Sequence, residues 1–116
     1  MRNTKQKANL RFMIYPYGKG KFVAVCLELG LIREGIDPLK LQSRITSLSR
    51  KYLENIVKNN LSDKLLNQTL PKKYLKKYED IVKALESYKN WKKWQKAFEA
   101  LVWNQKQEKG KLLTTE

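Results

Sequence analysis

Side chains alternate along Leu10 to Tyr17. Leu10, Phe12 and Ile14 point one way, and Arg11, Met13 and Tyr15 the other. A period of two in aromatic and branched residues predicts a strand, and Pro16 ends it. Tyr17-Gly18-Lys19-Gly20 follows, with two glycines that tolerate the backbone of a tight hairpin turn. Lys21 to Leu27 is apolar on both faces, which predicts a second strand covered on both sides. Glu28-Leu29-Gly30 reads as a corner. Leu31 to Glu34 reads as a third strand closed by Gly35.

The period then changes. Asp37-Pro38 is a helix cap followed by proline at the first helical position, where its missing N–H costs nothing. Leu41, Ile45, Leu48, Tyr52, Leu53, Ile56 and Val57 recur at three- and four-residue spacing. They make one face of a helix of about 20 residues. Asn59-Asn60 supplies its end. Residues 61–69 form a link or a short helical turn. Thr69-Leu70-Pro71 restarts a helix by the same logic, with a stripe of Tyr74, Tyr78, Ile81, Val82, Leu85 and Tyr88. Trp91, Trp94, Phe98, Leu101 and Val102 continue the stripe. The pattern allows one helix over 71–103 or two, with Asn90 capping the second. Residues 1 to about 8, and the tail from 105 to 116, are polar and predicted to be frayed or disordered. The expected organisation is a β-β-β-α domain over 1–62, a basic aromatic helical extension over 63–104 and a disordered tail over 105–116. In class it is α+β, with a small antiparallel sheet of three or four strands and one long packed helix.

Charge narrows the partners. The 116 residues hold 25 basic and 11 acidic side chains, a net +14. The excess runs along the chain, +8 over residues 1–69 and +6 over 70–116. That balance favours polyanionic partners. The single Cys26 excludes an intrachain disulfide and a zinc finger. With no His to activate it, a thiol in an apolar strand is predicted to be buried and inert. No apolar run approaches the roughly 20 residues of a membrane span, and no secretory signal pattern is seen. The expectation is a cytoplasmic protein that does not bind membranes.

Residues 10–57 resemble the HicB-like antitoxin family. The resemblance rests on Phe12-Met13-Ile14-Tyr15-Pro16, on Gly18 and Gly20, and on Phe22-Val23-Ala24-Val25. Glu28-Leu29-Gly30, Arg33-Glu34-Gly35 and the cap Asp37 complete it. Its N-terminal domain is a reduced relative of the ribonuclease H fold. The resemblance implies a non-enzymatic, oligomeric protein that occludes the RNA-cleaving face of a small ribonuclease toxin. Residues 71–103 show neither the helix-turn-helix nor the ribbon-helix-helix pattern that many members append.

Candidate chemistry is sparse. No glycine-rich phosphate loop exists, no cofactor motif is present, and general acid–base catalysis would have to proceed without His. A metal-dependent nuclease would need converging carboxylates, for which Glu28 and Glu34 are the candidates and Asp37 is better spent as a cap. As protein-contact acids, Glu28 and Glu34 could instead meet a basic toxin. Lys89, Trp91, Lys92, Lys93, Trp94 and Lys96 interleave cations with aromatics and are the candidate contacts for a partner or nucleic acid. The alternative is that such aromatics are core and the lysines a solvated face. Two expectations result: an antitoxin-like protein-binding module, or a basic nucleic-acid-binding protein.

Overall fold

The computed structural model describes residues 2–87, 101–108 and 111–113. Five antiparallel strands form one sheet in the order β3-β2-β1-β4-β5. They are β1 (Lys7–Pro16), β2 (Phe22–Cys26), β3 (Leu31–Gly35), β4 (Leu101–Glu108) and β5 (Lys111–Leu113). Two helices accompany them, α1 (Pro38–Lys58) and α2 (Lys72–Ser87), with a short 3-10 turn at Asp63–Leu66 between. The α+β class and the β-β-β-α order are as the pattern predicts.

The local signals act as expected. The hairpin between β1 and β2 closes through Tyr17 N–H donating to the Lys21 carbonyl at 2.8 Å. Asp37 accepts from the N–H groups of Leu39 and Lys40, which satisfies two donors that the first turn of α1 would leave free. Asn60 leaves the helix with φ of 49°. Gly30 holds φ of 66°, and a Cβ there would meet the Gln68 side chain at 3.3 Å. Both the backbone and the space at this corner therefore call for glycine.

The pleat sorts the strands into two faces. Leu10, Phe12, Ile14, Ala24, Cys26 and Leu31 pack against Leu41, Ile45, Leu53 and Ile56 of α1. Met13, Val23, Val25 and Leu27 face the other way and pack with Tyr74, Tyr78, Ile81 and Leu85 of α2. The Tyr74-to-Leu85 stripe is thus packing surface, and the lysines between are exposed.

Three expectations are corrected. The sheet has five strands rather than three or four. Leu101 and Val102 belong to β4, where a helix was expected to run to 103, and β5 lies in the expected disordered tail. The reason is non-local. β1 is ten residues long, and β2 pairs only with its second half, from Phe12 to Pro16. β4 pairs with Lys7 to Ile14 along the opposite edge, where backbone donors and acceptors would otherwise stand open. Trp103 fixes the register by stacking on Phe12, ring centroids 4.9 Å apart and planes 5° apart.

The N-terminus is the third correction. Asn3 is buried and bonded rather than frayed. Asn67 Oδ1 accepts from Asn3 N–H at 2.8 Å, and Asn67 Nδ2 donates to the Asn3 carbonyl at 2.9 Å. Asn3 treats Asn9 likewise: its Oδ1 accepts from Asn9 N–H at 3.0 Å and its Nδ2 donates to the Asn9 carbonyl at 3.2 Å. Each amide side chain imitates a neighbouring strand. Lys5 adds an ion pair to Asp63 at 3.1 Å, and this bonding holds the Asp63 carboxyl below its ordinary range.

Candidate functional site

α2 covers only part of its face of the sheet. It lies over Met13, Val23 and Val25. The earlier same-face positions of β1, namely Lys7, Asn9 and Arg11, line a cleft instead, together with Lys106 from β4. Lys106 sits directly opposite Asn9 in the β1–β4 ladder. Arg2 and the 67–70 link form one wall, and Leu27, Leu70 and Leu75 supply apolar surface. The link is anchored by Gln68 N–H donating to the Glu28 carbonyl at 2.8 Å. The cleft encloses about 790 Å³, inside the roughly 300–1,000 Å³ range of sites that enclose small ligands.

Its charge is one-sided. Among the described residues that line it, Arg2, Lys7, Arg11 and Lys106 stand beside one carboxylate, Glu28. That carboxylate is already engaged: one oxygen accepts from Arg11 N–H at 2.6 Å and the other from Arg11 Nε at 2.6 Å. The Arg11 guanidinium also lies over the Tyr78 ring, 5.4 Å from its centroid. Lys77 covers Tyr15 at 5.0 Å and Lys73 covers Tyr74 at 5.1 Å in the same manner. Burial raises the Tyr15 and Tyr78 phenols above their ordinary range. They are therefore neutral hydrogen-bonding groups near neutral pH and not bases.

The predicted site residues fare differently. Lys89, Trp91, Lys92, Lys93, Trp94 and Lys96 lie outside the described residues. Glu28 lies in the cleft, held by Arg11. Glu34 is exposed on β3 opposite Val23, toward the start of β2, whereas Glu28 follows the end of β2. The two carboxylates stand at opposite ends of the hairpin, so they do not converge on a metal ion. Among the described residues no group of three His, Cys, Asp or Glu side chains could hold one. Cys26 is fully buried, and burial pushes its thiol up to about 12. Beside it the buried Ser49 hydroxyl moderates that rise, though among the described residues the hydroxyl has no partner of good hydrogen-bond geometry. No helix among the described residues is long and apolar enough to cross a membrane.

Sequence reasoning placed Arg11, Met13 and Tyr15 on one strand face but did not single out Arg11, Asn9, Gln68 or Lys106. The available signal was Arg11 itself, a cation on a face otherwise filled by Met13 and Tyr15. No family of known proteins, no characterised protein and no solved structure matches this chain.

Proposed function

We propose that the protein is a non-enzymatic nucleic-acid-binding protein and that the cleft beside α2 is its binding surface. One observation carries this reading: four cations line a cleft in which the one carboxylate among the described lining residues is engaged by one of them. A net positive concavity concentrates phosphate backbones by counterion release. Its apolar wall and amide groups suit a base better than bulk water. The exposed lysines of α2 extend the positive field beyond the cleft.

The test is binding to labelled oligonucleotides across a salt series. Affinity is expected to fall steeply with salt, by about 0.7–0.9 in log K per log salt for each phosphate neutralised. Affinity that does not change with salt would sink the reading.

A second reading is a HicB-like antitoxin that contacts a small ribonuclease toxin as an oligomer. The β-β-β-α order with α1 packed on the first three strands is what the resemblance implies, and it supports this reading. Exposed Ile36 and Leu39, 80% and 75% accessible at the start of α1, offer apolar contact. Against it, Glu28 is tied to Arg11, which leaves Glu34 as the freer of the two acids proposed to meet a basic toxin. Affinity purification with and without nuclease separates the readings. A stoichiometric small protein that survives nuclease supports the antitoxin, and nucleic acid lost on nuclease supports the cleft.

A further inference from the structure

We propose that Arg11 is a preset phosphate clamp and that the cleft takes single-stranded nucleic acid, with one backbone phosphate on Arg11 and an adjacent nucleotide against Leu70 and Leu75. This rests on the nucleic-acid reading above and adds the strand type and the anchoring residue.

The argument starts from how Arg11 is held. Glu28 bonds both its backbone N–H and its Nε. The guanidinium plane is then fixed at one corner by the carboxylate and supported on one side by the Tyr78 ring. The terminal Nη groups make no hydrogen bond among the described residues, and the side chain is 39% accessible. With Nε taken, the open edge is the Nη pair, two parallel donors spaced for two oxygens of one phosphate. A free arginine must lose rotamer freedom on binding, and this one has lost much of it already in the fold. Glu28 thus acts as a positioning residue. Its charge is offset by Arg2, Lys7 and Lys106 around the same cleft.

Next to this fork the wall changes character. Leu27, Leu70 and Leu75 are apolar, and the side chains of Asn9 and Gln68 make no hydrogen bond among the described residues. A phosphate site beside an apolar ledge with amide donors and acceptors matches a nucleotide rather than a bare anion. A concavity of about 790 Å³ has room for one or two nucleotides. It does not admit a duplex, whose bases are stacked inside and whose two backbones need a broad, shallow surface. Unstacked bases of a single strand can turn into it.

The experiment uses the full chain and a short fluorescein-labelled oligothymidylate. Binding is read by anisotropy, beside the matched duplex and inorganic phosphate as competitor. Expected are single-strand binding that exceeds duplex binding, weak competition by phosphate, and a loss of about tenfold in Arg11→Lys, which keeps the charge but removes the fork. Lys19→Gln, on the β1–β2 turn, should stay within about twofold. In parallel, the Arg11 Nε–Hε signal and the Asn9 and Gln68 amide signals of the unmodified protein are followed by NMR as the strand is added. They should shift together, and this arm needs no variant to fold. If the strand binds while Arg11→Lys binds as well as wild type, or those signals stay still, the clamp is overturned and the proposed function stands. Equal binding of duplex overturns the strand preference. No binding of any oligonucleotide at low salt overturns both.

Discussion

The two faces of the sheet use the same strands for opposite purposes. On the α1 face, Leu10, Phe12, Ile14, Ala24 and Cys26 are covered by a 21-residue helix. Among the described residues no charged side chain enters this cluster, and the Ser49 hydroxyl is its misfit. On the α2 face a 16-residue helix covers Met13, Val23 and Val25, reaches Arg11 only through the Tyr78 ring, and leaves Lys7 and Asn9 to the cleft. Neighbouring residues of β1 therefore differ in role by parity: Leu10 and Phe12 hold the fold, and Asn9 and Arg11 line the cleft. The difference teaches that, among the described residues, the cleft forms where α2 leaves the sheet uncovered and the 67–70 link walls it.

The sharpest way to break the closed face is Phe12→Ala. It removes a fully buried ring and its Trp103 stack, at an expected cost of about 3–5 kcal/mol in urea unfolding. Binding should fail along with the fold. Alkaline pH probes the same face more gently. Burial keeps the Cys26 thiol protonated up to about 12, above its value in the unfolded chain. The unfolded state therefore loses this proton first. Stability contributed by the neutral thiol is full below about pH 9 and falls by about 1 kcal/mol for each pH unit above it. The raised Tyr15 and Tyr78 phenols act in the same direction. Comparing Cys26→Ala with wild type between pH 9 and 11 isolates the thiol: the difference in stability should drift with pH, and a constant offset would refute the assignment.

On the open face, Asn67→Ala should cost about 1–3 kcal/mol, because it strands the buried Asn3 N–H and carbonyl. Amide exchange at Asn3 should quicken more than at Phe12. Ser49→Ala has the opposite sign: it removes a hydroxyl buried without a good partner, and stability should rise by about 1 kcal/mol. Lys7→Gln and Lys106→Gln should move the unfolding midpoint least, within about 0.5 kcal/mol, while they weaken oligonucleotide binding and flatten its salt dependence. If these lysine variants unfold easily yet bind normally, the division of labour between the faces is wrong.

What was legible in the sequence was local. Asp37-Pro38 announces α1 because a cap acts within one turn. Period-two alternation announces β1, and an apolar run on both faces announces a covered β2. What was hidden depended on partners far along the chain. Leu101-Val102-Trp103 continues the helical spacing of Trp91, Trp94 and Phe98, and only the open edge of β1 makes it a strand. Asn3 looks like a polar, frayed residue until Asn67, 64 positions away, is placed beside it. The cleft was legible in part. Arg11 could be assigned to a face, but the extent of α2 that leaves it open is a tertiary fact.

The pairing of β1 with β4 also sets a timetable. β1 begins at Lys7 and β4 at Leu101, so a ribosome making 5–20 residues each second exposes the first about 5–20 s before the second. Through that interval β1 has an unclaimed edge carrying Leu10, Phe12 and Ile14 on one side. A nascent chain, or one cut before Leu101, thus offers its central strand to any other extended segment nearby. For this protein a strand made late in synthesis is the one that takes the first strand out of circulation.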